Sequence, residues 1–243
     1  MRLAIISDIH GNGTALKAVL RSITRREEEF VDRILCLGDL FNGHGSGEEV
    51  IRLLDENNVE QIRGNHDDAD VPWDAIDKRH HFLVQAMLDW DSNNLDSAVL
   101  SRVAQLPLSI SVPLEDGRTL CAFHSNPDNL WDMVNSSTIT QQQFEAVFAP
   151  MEADVLVYGH YHQPHVLSIG GKLLVNPGSV DGTVSFEPDF FARYLIVESM
   201  KDRLVFRQAC VVYDVAAQEE IDKQTNAPFW QFRAQLKQYD PQQ

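Results

Sequence analysis

The sequence predicts an α/β fold, on three observations. Short apolar runs alternate with stretches of helical spacing over the first 62 positions. The second half is a series of short strands, and a wholly helical stretch separates the two halves. Strands separated by single helices imply βαβ crossovers and hence a largely parallel sheet.

Leu3-Ala4-Ile5-Ile6-Ser7 is a short strand that runs into Asp8. After a turn at Gly11–Gly13, Leu16, Val19, Leu20 and Ile23 recur at helical spacing. Arg33-Ile34-Leu35-Cys36-Leu37 is a second strand, stopped by Gly38-Asp39. A glycine-rich loop, Asn42 to Gly47, leads into a helix carrying Val50, Ile51, Leu53 and Leu54; Val59 to Ile62 is a third strand, ended by Arg63-Gly64. Residues 74–106 read as an all-helical insertion with Phe82, Met87, Leu88, Leu95, Leu100 and Val103 as core candidates. Its Lys78-Arg79-His80-His81 cluster reads as a solvated helix face. Strands are then expected at Leu108–Val112, Thr119–Phe123, Val155–Tyr158, Val166–Ile169, Leu173–Val175, Tyr194–Val197 and Leu204–Val212, with turns at Gly117 and Gly170-Gly171. Residues 215–243 form a Gln-rich tail of weak helical character, expected to fray at Pro241-Gln242-Gln243.

A chain of 243 residues is long enough for one large core, and a single domain over residues 1–243 is expected. With 36 acidic and 20 basic side chains the formal charge is −16, which argues against non-specific binding to a nucleic-acid backbone. Cys36, Cys121 and Cys210 form no Cys-x-x-Cys pair, and the first two sit in apolar runs that suit buried free thiols. The apolar run at the N-terminus is too short for a signal-peptide core, and no run approaches a membrane span. The expected compartment is the cytoplasm; nothing here speaks to oligomeric state.

The chemistry is carried at strand ends. Asp8 and His10 follow the first strand, Asp39 the second, and Asn65 and His66 the third; His124 and the pair His160/His162 end strands of the second half. In open α/β sheets ligands bind at the carboxyl ends of the strands. Imidazole and carboxylate donors without thiolates suit Mn, Fe, Zn or similar divalent ions. Seven ligand candidates exceed one tetrahedral site but fit two metals sharing an aspartate, about 3.5–4 Å apart, the clamp used for in-line displacement at phosphorus. Taken singly each element has an ordinary reading. Asp8 could be a helix cap, Gly38-Asp39 a turn, His124 a hydrogen-bonded core residue, and His160/His162 surface residues of a turn. The coincidence of all five segments, in order, at strand ends is what the ordinary readings do not explain.

Asp8-Ile9-His10, Gly38-Asp39, Gly64-Asn65-His66-Asp67, His124 and Gly159-His160-Tyr161-His162 resemble the signature of calcineurin-like metallophosphoesterases. Leu174-Val175-Asn176-Pro177-Gly178-Ser179-Val180 resembles the small prokaryotic phosphodiesterase branch, and the likeness spans nearly the whole chain, weakest over residues 215–243. The resemblance implies two facing mixed β-sheets sandwiched between outer helices, with the site at one rim. It implies that Asp8, His10 and His162 hold one metal, that Asn65, His124 and His160 hold the other, and that Asp39 bridges. His66 is the implied general acid, and His44 is a candidate substrate contact. Two departures stand out. Asn42-Gly43-His44 replaces the Asp-Arg-Gly of the phosphoprotein phosphatases, which argues against a phosphoprotein substrate, and His124-Ser125-Asn126-Pro127 replaces the His-Gly-Ser-Pro of closer relatives.

The expectation is therefore a phosphodiesterase with two divalent ions (Mn, Fe, Zn or Ni) acting on a small or nucleotide-like substrate through a metal-bridging hydroxide. The alternatives are a nucleoside polyphosphate hydrolase or phosphomonoesterase using the same site and, from another class, a non-catalytic member of the superfamily serving as an interaction scaffold.

Overall fold

The computed structural model describes the chain except residues 26–29, 69, 75, 77, 127–128, 133–137, 185–189 and 233–243. Its first half alternates as read: β1 (Arg2–Ile6), α1 (Gly13–Arg25), β2 (Arg33–Cys36), α2 (Gly47–Glu56) and β3 (Glu60–Gln61). β1, β2 and β3 pair in parallel, so their carboxyl ends share one edge. Two long strands from the end of the chain complete this sheet: β9 (Phe191–Met200) pairs antiparallel with β1, and β10 (Arg203–Val212) pairs antiparallel with β9.

The second sheet has the order β4-β5-β6-β8-β7, from β4 (Ser109–Pro113), β5 (Thr119–Phe123), β6 (Val155–Tyr158), β7 (His165–Ile169) and β8 (Lys172–Asn176). β5, β6 and β8 are parallel; β4 and β7 flank them antiparallel. Both sheets are mixed.

Alternation along the strands decides the layers. Leu3 and Ile5 of β1 and Leu35 of β2 pack with Leu120 and Ala122 of β5 and with Val155 and Val157 of β6, the core between the sheets. Their neighbours Ala4, Ile6 and Cys36 face the other way, onto Leu16, Val19, Leu20 and Ile23 of α1 and Val50 and Leu54 of α2. On the far face of the second sheet, Cys121, Phe123, Leu156 and Tyr158 meet Phe144 and Phe148 of α5 (Gln141–Phe148). The two facing mixed sheets between outer helices are as expected.

Residues 74–106 are less helical than the sequence suggested. The described residues before His81 form turns, and helix is confined to α3 (His81–Asn94) and α4 (Ser97–Val103). The chain breaks at Leu95, and Asp96 restarts it as an N-cap, its side chain accepting from the N–H of Ala98. Met87 and Trp90 fix the buried face of α3. Phe82 stands about 140° round the helix from Met87 and is 50% exposed, so it is not core. Leu88 and Leu100 are only partly buried, whereas Leu95 and Val103 are buried. Of the Lys78–His81 cluster, Lys78 and Arg79 are exposed on a turn, whereas His80 and His81 are half-buried, so the cluster is not a wholly solvated helix face.

α5 was not foreseen, although Thr140 and Gln143 form a capping box at its start. The C-terminal tail holds α6 (Val215–Thr225) and α7 (Pro228–Gln231). Its last residues, where fraying was expected, lie outside those described. Among the described residues no helix is long and apolar enough to cross a membrane.

Candidate metal centre

The loops that follow β1, β2, β3, β5 and β6 meet at the rim between the sheets. They are laced by backbone hydrogen bonds: Asp8 N–H donates to Gly38 O at 3.0 Å, His10 N–H to Asp39 O at 2.9 Å, and Gly159 N–H to His124 O at 2.8 Å. Asp67 fastens two loops together, its carboxylate accepting from Leu40 N–H at 2.8 Å and Gly64 N–H at 2.9 Å.

Five of the eight predicted side chains here sit on left-handed backbone: Asp8, His10, Asp39, His160 and His162, with φ between 50° and 60°. Such a conformation costs a non-glycine residue about 1–2 kcal/mol. Five in one place mark a segment shaped for side-chain placement at the expense of local stability. Gly64 serves the same end by its size: a β-carbon there would lie 2.2 Å from Oδ1 of Asp39.

The side chains form two groups. In the first, His162 Nε2 lies 3.2 Å from Asp8 Oδ1 and 3.3 Å from His10 Nε2. In the second, Asn65 Oδ1 is 2.8 Å from both His124 Nε2 and His160 Nδ1. Asp39 stands between them, its Oδ2 3.3 Å from His124 Nε2 and 3.8 Å from His10 Nε2. Ligand atoms of Asp8, His10 and His162 lie within 4.8 Å of one another, as do those of Asp39, His124 and His160. His66 joins a third such triad with His10 and Asp39.

Outer partners orient these groups. His124 Nδ1–H donates to Leu37 O at 2.7 Å and His10 Nδ1–H to Asn42 O at 3.2 Å, so each ring presents Nε2 to the cluster. Asp39 Oδ1 accepts from His66 N–H at 2.9 Å, which turns Oδ2 towards the imidazoles.

The electrostatics ask for cations. Burial opposes ionisation of Asp39, yet the charges of His124 and His66 outweigh it and hold the carboxyl well below the usual range. Burial likewise opposes charge on His124, but Asp39 and Asp8 carry its imidazole up to about 9. Burial, together with the His124 charge, pushes His160 down to about 3. Protonated His124 thus stands in for positive charge that the carboxylates demand. Asp8 Oδ2 and His162 Nδ1 are buried and find no hydrogen-bond partner among the described residues. Two ionised carboxylates, one of them with an orphaned oxygen, together with one amide oxygen and four imidazoles, fit divalent ions of the borderline class.

A model of the calcineurin-like phosphoesterase superfamily domain matches residues 1–199. The chain belongs to that superfamily. It is 29% identical over 180 residues to the uncharacterized protein MJ0912 of Methanocaldococcus jannaschii, covering 73% of this chain and 69% of the relative. Its fold is similar to that of the hypothetical protein PH1004 of Pyrococcus horikoshii (TM-score 0.78, 21% identity, 95% of this chain and 96% of the other). It is also similar to that of a metallophosphoesterase from Sphaerobacter thermophilus (TM-score 0.67, 24% identity, 93% and 94%). Family membership makes this metallophosphoesterase a metal-dependent phosphoric ester hydrolase.

The metallophosphoesterase places one predicted residue differently. His44 is buried with both ring nitrogens engaged: Nδ1 is 2.5 Å from Asp222 Oδ2, and Nε2 is 3.2 Å from Asp181 Oδ2 and from Thr183 Oγ1. Burial works against its charge, but Asp181 and Asp222 carry its imidazole up to about 10. An imidazolium held by two carboxylates has no nitrogen left for a substrate. Sequence reasoning missed Asp181 and Asp222, because nothing in the local pattern ties them to a histidine so far away. Trp131 was also missed; its ring lies 5.9 Å from that of His66.

Proposed function

We propose that this metallophosphoesterase is a two-metal phosphodiesterase of small or nucleotide-like substrates. Asp8, His10 and His162 hold one ion, Asn65, His124 and His160 hold the other, and Asp39 is shared. The observation that carries this reading is the position of Asp39 Oδ2 between His124 Nε2 at 3.3 Å and His10 Nε2 at 3.8 Å, one oxygen common to both groups. Ions so held supply Lewis acidity to the phosphoryl oxygens and a strong nucleophile from water at neutral pH. Mn, Fe, Zn or Ni suits the donors.

The protein's own groups do the rest. His66 protonates the departing oxygen; its backbone N–H is tied to Asp39, and its ring packs edge-on against His10 at 5.3 Å and near Trp131 at 5.9 Å. Burial pushes the His66 imidazole down to about 4. The negative charge of a bound phosphate favours the imidazolium, the form that donates.

Charge favours a diester. Two dications, two aspartates and a hydroxide leave a formal charge near +1, matched by a diester monoanion rather than a monoester dianion. The loop 41–47 that could have met the extra charge commits its basic side chain, His44, to Asp181 and Asp222. The scaffold reading is disfavoured because every ligand and His66 are present. Three unpaired cysteines support a reducing cytoplasm. The test is metal-free protein reloaded with each ion and assayed on an aryl diester, the matching monoester and a dinucleotide, each rate taken as a ratio to its uncatalysed rate. The diester should have the higher kcat/KM; a corrected preference for the monoester would replace this reading with the monoesterase.

A further inference from the structure

Beside His66 lies a cavity of about 260 Å³ lined by Arg63, Asp68, Asp70, Asn126, Asn129 and Trp131. Much of its wall comes from the loops that carry the centre, with Pro72 and Leu108 added from outside them. Arg63 is two residues before Asn65, Asp68 two after His66, and Asn126 two after His124. The ring of Trp131, 5.9 Å from that of His66, forms the common wall. The metal chemistry uses none of these lining residues.

The cavity is built rather than incidental. Asn126 Oδ1 accepts from Asn129 N–H at 2.7 Å, and Asn129 Oδ1 accepts from Trp131 N–H at 2.8 Å, so these side chains tether the backbone N–H groups of Asn129 and Trp131. Its volume falls just below the usual range of ligand sites, room for one ring system and no more. Its ionic groups, one guanidinium and two carboxylates, sum to a negative charge, and Arg63 is partly neutralised by Asp68 at 3.9 Å. A second phosphate would be repelled. A neutral flat ring with donors and acceptors is suited: carboxylates take its N–H groups, and Trp131 offers a stacking face. Arg63 Nε and Trp131 Nε1 are both buried without an acceptor among the described residues.

We infer that this cavity is the leaving-group subsite and takes a nucleobase, so that the departing alcohol of the diester is a nucleoside. The base lies against Trp131 and the departing oxygen at His66. This rests on the phosphodiesterase reading, and it separates a nucleoside-releasing diesterase from a polyphosphate hydrolase, whose leaving group carries more negative charge.

The test is direct binding, by calorimetry, of the four ribonucleosides, ribose and pyrophosphate to metal-loaded wild type, Trp131→Phe and Trp131→Ala. At least one nucleoside should bind and should inhibit dinucleotide cleavage competitively, while ribose does not bind. Trp131→Ala should weaken nucleoside binding by about tenfold or more, the loss of a stacked base, and Trp131→Phe should retain most of it. If Trp131→Ala does not fold, Trp131→Leu takes its place, keeping bulk without the aromatic face. Nucleoside binding that survives loss of the ring, or no nucleoside binding in a protein that turns over diesters, overturns the subsite and leaves the phosphodiesterase reading standing. Trp131-dependent nucleoside binding in a protein inert towards every diester supports the cavity's occupant and overturns the reaction instead.

Discussion

His44 Nδ1 lies 2.5 Å from Oδ2 of Asp222, a residue 178 positions later in the chain. The other carboxylate oxygen of Asp222 accepts from Gly45 N–H at 2.8 Å and Gln218 Nε2 at 2.9 Å, so α6 is pinned to the loop after β2. Phe229 of α7 packs on the rings of His44 and His10, 5.0 and 6.3 Å away. The C-terminal helices thus brace the loops of the centre through one buried imidazolium.

His44→Ala should therefore behave as a stability variant. Removing one partner of a buried ion pair leaves its carboxylates uncompensated and costs about 3–5 kcal/mol. In a chain of this size that corresponds to a fall in Tm on the order of 10 °C. Calorimetry checks this; an unchanged Tm with a raised KM would return His44 to the role of substrate contact.

The same pair has a pH signature. Folded His44 titrates at about 10, against about 6.5 in the unfolded chain. Its stabilisation is fully present below pH 6.5 and is lost as the pH rises towards 10, because across that window the folded state must hold a proton that the unfolded chain has released. The gap in urea midpoint between wild type and His44→Gln should narrow steadily between pH 6.5 and 10. A gap that stays constant or widens contradicts a protonated His44.

Much of the centre was legible because its grammar is local: a run such as Leu3–Ile6 or Val155–Tyr158 ends, and a ligand type follows at once. What lay beyond reading depended on distant parts of the chain. His44 looked free because Asp181 and Asp222 reach it only after the sheets close. Phe82 looked like core because apolar character alone does not say which side of α3 packs; Met87 and Trp90 decide it. The stretch before His81 looked helical by composition, yet the described residues there turn. α5 carries a local signal of its own, Thr140 three residues before Gln143.

Gly64→Ala should lower activity by crowding Asp39. The φ of Gly64 is −96°, open to any residue, but the added methyl would collide with both Oδ1 and the backbone nitrogen of Asp39, so the carboxylate and its loop must shift. A shift of about 1 Å can cost on the order of 100-fold. Measured kcat should fall by that order with bound metal reduced; wild-type turnover would mean that Asp39 is not held where the structure has it.

His66→Ala should keep its metal and lose turnover, by about 10²–10⁴-fold. The loss should shrink as the leaving group of the substrate becomes a weaker base, since a good leaving group needs little protonation. Equal losses across a series of aryl and alkyl diesters would assign His66 to binding or to ordering the cluster.

The shared oxygen of Asp39 is tested most directly by electron paramagnetic resonance of protein loaded with two equivalents of Mn²⁺, compared with Asp39→Asn. Two ions joined through one carboxylate should give an exchange-coupled spectrum in the wild type. In Asp39→Asn the coupling, the second equivalent of metal and the activity should disappear together. Two uncoupled ions in the wild type, or an Asp39→Asn protein that keeps both ions and normal turnover, would contradict the bridged pair.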